Sequence, residues 1–114
     1  MGGIILGIES TAHTFSFGSV STEGELFPSF SSLFRPEEGG IHPREAADHH
    51  SESTSKLLNK LSSNGDFSWD SIVAVAFSQG PGLGPCLRVG ASVARTLATR
   101  LSVCLLYTSD AADD

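Results

Sequence analysis

The chain is poor in the residues that build several common kinds of site. Cys86 and Cys104 are its two cysteines in 114 residues, and their spacing makes neither a metal-binding nor a redox motif, which fits a reducing compartment. Cations are scarce as well. Seven Lys and Arg stand against thirteen Asp and Glu, a formal charge of −6, so no broad basic surface is available for nucleic acid, which would need a local patch or a partner's surface. No apolar run approaches membrane-spanning length, and the first residues lack the charged-then-apolar layout of a secretory signal. A soluble cytoplasmic protein without membrane contact is the expectation. Three familiar motifs are also absent: the Gly-Lys-Ser/Thr of a Walker loop, the Gly-x-Gly-x-x-Gly of a dinucleotide fold, and the His-Glu-x-x-His of a metallopeptidase helix. The length allows one domain, enough for a core but small for a complete α/β enzyme.

What is there centres on Ile72 to Leu101. Six apolar residues from Ile72 to Phe77, without polar alternation, predict a strand covered on both faces in a largely parallel sheet. Gly80, Pro81, Gly82 and Gly84 follow as a turn with little side chain to block a ligand, and Pro85 is pre-set to open a helix. Gly90, Ala91, Ala94, Ala98 and Leu101 then recur at helical spacing as one packing face. Strand, glycine turn and helix start make a natural seat for phosphate or carboxylate, although such turns also serve tight packing alone.

Earlier in the chain, Gly3 to Ile8 reads as a first buried strand ending in Glu9-Ser10-Thr11, polar residues at the end of the sheet where α/β folds place ligands. Thr14 to Val20 alternates, with Phe15 and Phe17 on one side, and reads as a second strand. The turn between them, Ser10 to His13, is either a phosphate seat or a plain polar hairpin turn. Glu25 to Phe34 is a third strand, interrupted by Pro28 and so near an edge, and Arg35 to Gly40 a polar loop. His42-Pro43 starts a helix that runs to about Ser62 with His50, Thr54, Leu57 and Leu61 on one face. His49 and His50 are adjacent, so on a helix they point about 100° apart and do not share a metal as an i, i+4 pair does. No metal ligand is therefore assigned. The element order βββαβα is that of the ribonuclease-H-like half-domain of actin-like ATPases, an α/β architecture in which the first hairpin and a later glycine turn face each other across the phosphate site.

Three separated segments carry a closer resemblance: Gly7-Ile8-Glu9-Ser10-Thr11-Ala12, then Gly40-Ile41-His42-Pro43-Arg44-Glu45-Ala46-Ala47-Asp48-His49-His50, then Ala76-Phe77-Ser78-Gln79-Gly80-Pro81-Gly82-Leu83-Gly84-Pro85 with Leu87-Arg88-Val89-Gly90. In this order they resemble the archaeal members of the universal tRNA threonylcarbamoyladenosine synthases, called TsaD in bacteria. The resemblance implies an actin-like fold of two half-domains and transfer of threonylcarbamoyl from an adenylate to N6 of adenosine 37 in tRNAs reading codons that start with A. Glu9 matches the family's acidic residue at the end of the first strand, near the threonylcarbamoyl group, and is the candidate catalytic residue. Ser10, Thr11, Gly80, Gly82 and Gly84 match its phosphate-side turns and are the candidate binding residues for threonylcarbamoyl-AMP or ATP. The family implies a divalent metal, iron or zinc, as a Lewis acid. Its partners are tRNA and the KEOPS subunits: a small kinase-like ATPase and two small proteins, with the helix face near His50 as a candidate subunit contact.

The chain departs from the family after Val103. There the family leads into Asn-His-x-x-x-His, whose histidines bind the metal, whereas this chain reads Cys-Leu-Leu-Tyr-Thr-Ser-Asp-Ala-Ala-Asp-Asp. Cys104 to Ser109 matches a translation of TGTCTCTTATACACATCT, a transposase-end sequencing adapter, so residues 104–114 are read as lying outside the fold and residues 1–103 as the amino-terminal part of the family domain. On that reading the polypeptide alone is inactive, because it lacks the metal histidines and half of the nucleotide cleft. The alternative is a non-catalytic actin-like module that serves as a dimerisation scaffold.

Overall fold

Alternation in the first strands decides which side of the sheet becomes the interior. The computed structural model describes residues 3–35, 42–65 and 67–108. β1 (Ile4–Glu9) turns Ile4, Leu6 and Ile8 inward, and β2 (Thr14–Ser21) turns Phe15 and Phe17 the same way, with the two rings packed edge to face at 5.3 Å. They pair antiparallel, Ile8 opposite Phe17 and Gly7 opposite Gly18. β3 (Phe30–Leu33) adds antiparallel to β2 at one edge. It is shorter than the expected Glu25–Phe34 strand. Pro28 has no N–H to give to a ladder, and before Phe30 only an isolated bridge between Leu26 and Val20 forms.

The long helix α1 (Pro43–Ser62) starts with Pro in its first turn and Glu45 near the positive dipole end, as its residues predict. His50, Leu57 and Leu61 are buried. A single 3-10 turn, Trp69–Ser71, leads into β4 (Ile72–Ser78), which pairs parallel with β1. α2 (Gly84–Leu101) buries Cys86, Gly90, Ala94 and Ala98 and ends at Ser102, which takes the left-handed conformation while Val103 N–H returns to the Ala98 carbonyl. The sheet order is β3-β2-β1-β4-β5.

Two expectations need correction. β4 is not covered on both faces: α1 and α2 pack on one side of the sheet, against Leu6, Ile8, Val75 and Phe77, whereas a recess over Gly7, Gly18 and Ala76 is open on the other. Its unbroken apolar run reflects small Ala side chains on the other face rather than a second layer among the described residues. The element order is also one strand longer than βββαβα. Cys104–Thr108, expected outside the fold, forms β5 in parallel register with β4, Val75 opposite Leu105 and Phe77 opposite Tyr107. A parallel edge is recruited through main-chain hydrogen bonds, so any β-prone segment arriving there can pair. From residue 36 the expected Arg35–Gly40 loop lies outside the described residues, as do residues 109–114.

The core and the edge should respond very differently to substitution. Phe17→Ala, which removes a fully buried ring, should cost about 3–5 kcal/mol, enough to unfold much of a small domain. Leu33→Thr, on edge strand β3 at 45 % exposure, should stay within about 0.5 kcal/mol. Urea denaturation of the two variants checks the contrast.

Candidate functional site

Because β1 and β4 run parallel, their carboxyl ends reach the same edge of the sheet, β1 with Glu9 and β4 with Ser78. The turn after β1, Ser10 to His13, and the glycine turn before α2 meet there in direct contact. Leu83 N–H donates to the Thr11 carbonyl at 2.7 Å. At Gly82 an added Cβ would stand 2.5 Å from that same carbonyl oxygen, and at Gly90 it would stand 2.9 Å from Ser10 Cβ. Backbone therefore lies against backbone at Gly82 and against the Ser10 side chain at Gly90, and glycine is required at both places for close approach. Ser10 is 2 % exposed, and its hydroxyl donates to the Cys86 carbonyl at 2.8 Å. The Ser10 side chain thus fastens the first turn to α2 and is directed away from the solvent side of the sheet.

Glu9 and Thr11 point the other way. Glu9 is half-buried, and one carboxylate oxygen, Oε2, accepts from Thr11 N–H at 3.2 Å and from the Thr11 hydroxyl. The carboxylate borders a recess of about 370 Å³ on the uncovered face of the sheet, floored by Gly7, Gly18 and Ala76 and flanked by Ser16 and Ser78. Small residues on three neighbouring strands leave this space empty. Of the other candidate residues, Gly80 precedes a cis peptide to Pro81, and Gly84 opens α2, where the start of the helix has no side-chain cap. The two turns expected to face each other across a phosphate are in contact, so a ligand would lie over them and over the recess rather than between them.

The residues that hold this edge in place include several that sequence reasoning passed over. The Ala12 carbonyl accepts from His50 Nε2 at 2.7 Å and is approached by Cys86 Sγ at 3.7 Å. Burial raises the Cys86 thiol pKa and keeps it neutral. His50 is fully buried against the Phe15 ring, so on the helix face expected to meet a partner this residue itself is turned into the core. Alternation could have placed Gly7 and Gly18 on one face, since both strands read with period two. Nothing local marks Ala12 or Cys86, whose contacts join residues 74 apart.

The family's metal does not fit the residues described. Among them no group of three or more His, Cys, Asp or Glu is placed to hold an ion. The adjacent His49 and His50 bring their Nδ1 atoms to 2.9 Å, hydrogen-bonded to each other. No chemical step is derived through a metal.

Two outcomes follow from this geometry. Gly82→Ala drives a methyl into the Thr11 carbonyl and should lower thermal stability clearly, whereas Gly84→Ala meets only the flexible end of Arg88 at 3.7 Å and should be nearly neutral; thermal melts of both variants test this. His49 and His50 have pKa values lowered from 6.5, first by desolvation. The unfolded chain therefore binds protons before the folded one, and their contribution to stability is complete above about pH 6.5 and is lost as pH falls below it. Denaturation midpoints at about pH 7.5 and 5.5 should differ in that sense, and less so for His49→Gln.

Residues 29–109 match the family model for TsaD, tRNA N6-adenosine threonylcarbamoyltransferase. The chain is 50 % identical over 104 residues to the tRNA N6-adenosine threonylcarbamoyltransferase of Pyrobaculum calidifontis, and 52 % identical over 98 residues to that of Archaeoglobus fulgidus. These alignments cover 90 % and 86 % of this chain but 30 % and 29 % of the relatives, so the chain spans less than a third of their length. Among solved structures, YeaZ from Pseudomonas aeruginosa superposes with a TM-score of 0.71 at 18 % identity, covering 95 % of this chain and 45 % of that one. Thermus thermophilus RuvC in complex with a Holliday junction substrate gives 0.56 at 13 % identity, covering 94 % and 64 %. At those identities the likeness shows the fold alone, the actin-like, ribonuclease-H-like fold. The match over most of its residues places the chain in the tRNA N6-adenosine threonylcarbamoyltransferase family.

Proposed function

We propose that this chain forms one wall of the acyl-transfer site of a tRNA threonylcarbamoyladenosine synthase, with Glu9 as its catalytic residue. The whole protein would join the threonylcarbamoyl carbon to N6 of adenosine 37, break the bond from that carbon to the adenylate phosphate oxygen, and release AMP and the N6 proton. The observation that carries the reading is the Glu9 carboxylate itself. It stands at the carboxyl end of β1, beside a recess floored by glycine and alanine, with Oε2 held by Thr11. Oε1 is then the oxygen offered to the carbamoyl group or the attacking amine, directly or through water.

In this reading Thr11 orients the carboxylate, and Ser10 acts by fastening the turn. Gly80, Gly82 and Gly84 shape the edge over which threonylcarbamoyl-AMP or ATP would lie. A divalent metal, iron or zinc, would be held by residues outside those described and would supply Lewis-acid polarisation of the carbonyl. The tRNA would be bound jointly with partners of the KEOPS type in the cytoplasm, which fits a chain of charge −6 that gains nucleic-acid affinity from others. Relatives at about 50 % identity bear the transferase name, which favours the catalytic reading over a dimerisation scaffold.

Residues 104–114 are proposed to be an adapter translation. The pairing of β5 with β4 does not bear on their origin, because it uses backbone groups. Adapter-free resequencing of the locus should show an open frame continuing after Val103 into Asn-His-x-x-x-His, and a verified stop after Asp114 would remove the proposal. For Glu9, the expected result is a loss of about 100-fold or more in threonylcarbamoyl transfer by a full-length Glu9→Gln enzyme that still folds. Unchanged transfer would show that the carboxylate has no part in the chemistry.

A further inference from the structure

His49 and His50, which the transfer reading leaves unused, belong to one directed chain of hydrogen bonds that ends on the Ser10–His13 turn. The direction is fixed from that end. His50 Nε2 lies 2.7 Å from the Ala12 carbonyl oxygen, and a carbonyl only accepts, so this nitrogen carries the hydrogen. In a neutral imidazole the other nitrogen is then an acceptor. His50 Nδ1 therefore accepts from His49 Nδ1, 2.9 Å away, and His49 Nε2 is left as an acceptor. Ser32 Oγ, 3.0 Å from it, donates, and Ser32 in turn accepts from Ser53 Oγ at 3.1 Å. One carbonyl thus sets four side chains, three on α1 and one on β3.

We propose that His49 and His50 form a polarised strut in which His50 is a positioning residue for the Ser10–His13 turn, locked as the Nε2–H tautomer against a His49 locked as Nδ1–H. The assignment rests on hydrogen-bond geometry and does not depend on which ligand the turn receives. It also fixes a proton capacity. If one proton is added at His50 Nδ1, the His49 ring can shift its own hydrogen to Nε2 and donate to Ser32, so every contact keeps one hydrogen. A second proton would set two N–H groups against each other at the 2.9 Å contact and break it.

The surroundings bear on that capacity. Glu9 on β1 and Glu52 on α1 both favour an added proton, while burial of each ring opposes it more strongly. From α2, Cys86 approaches the same Ala12 carbonyl as a neutral thiol. β2 and β3 contain no titratable residue and contribute the Phe15 ring and the Ser32 hydroxyl, while Phe34, just after β3, stacks obliquely on His49.

The test is a long-range proton–nitrogen correlation spectrum of the ¹⁵N-labelled 114-residue chain near neutral pH. Four histidines contribute, His13, His42, His49 and His50. Expected are one residue in the Nδ1–H pattern, which disappears in His49→Gln, and one in the Nε2–H pattern, which disappears in His50→Gln. On acidification the pair should take up one proton before tertiary structure is lost. Mixed, rapidly exchanging tautomers at both residues, or two protons bound with the fold intact, would overturn the proposal. Positioning is read separately at the Ala12 carbonyl ¹³C shift. His50→Gln keeps an N–H donor at the Nε2 position and should hold that shift, whereas His50→Leu should move it. Equal shifts in both variants would reduce His50 to a packing residue. If the variants fail to fold, the tautomers of the unsubstituted chain, assigned through the ring contacts to Phe15 and Phe34, decide the matter alone.

Discussion

Everything at the ligand edge depends on how closely two turns approach. The Thr11 carbonyl takes the Leu83 N–H, and Gly82 is bare because that oxygen occupies the space of a side chain. One helical turn further on, Ser10 reaches the Cys86 carbonyl, and Gly90 is bare because Ser10 itself is there. These contacts tie β1 to α2 independently of the sheet. They fix where Glu9 stands relative to the carboxyl end of β4, and so set the geometry of the recess. The glycine turn is therefore a packing device first. Its contribution to ligand binding would come through the shape it imposes, not through groups of its own.

The fold was largely legible in the sequence because its signals are local. Phe15 and Phe17 at period two, Pro43 and Pro85 at helix starts, and Gly90, Ala94 and Ala98 at helical spacing each report the element that contains them. The third strand was overextended because Pro28 removes a donor that a pattern of apolar residues does not register. β4 misled for a different reason. Alanine counts as apolar in a run, yet it covers little surface, so an unbroken Ile-Val-Ala-Val-Ala-Phe is compatible with one packed face and one open one.

The candidate site was legible to a lesser depth. Family motifs placed Glu9, Thr11 and the glycines at one edge, and the structure brings them there. What the motifs did not convey was the direction of each side chain. Ser10 and Thr11 are neighbours with similar hydroxyls, but strand alternation carried into the turn sends the first to α2 and the second to Glu9. His50 shares a helix face with Leu57 and Leu61 in the sequence and is wholly buried as that face predicts, but the turn it supports is not visible in the pattern. Such assignments need contacts between residues far apart in the chain, and no local pattern contains them.

A buried imidazole with a half-buried partner is an expensive way to hold a turn, since apolar side chains of like volume would avoid the desolvation of ring nitrogens. An apolar wedge, however, resists compression without choosing an orientation. A hydrogen bond to Ala12 does choose, because the carbonyl must face His50 Nε2 for the contact to exist at all. The peptide between Ala12 and His13 is thereby oriented, next to Thr11, whose N–H and hydroxyl hold one oxygen of Glu9. The carbonyl also fixes the direction of the donors from Ser53 through Ser32 and His49, since reversing the chain would require a hydrogen where the carbonyl has none. On the role proposed for Glu9, catalysis by a positioned carboxylate tolerates little error in direction, which would give a physical reason for placing satisfied polar groups directly behind the turn beside it.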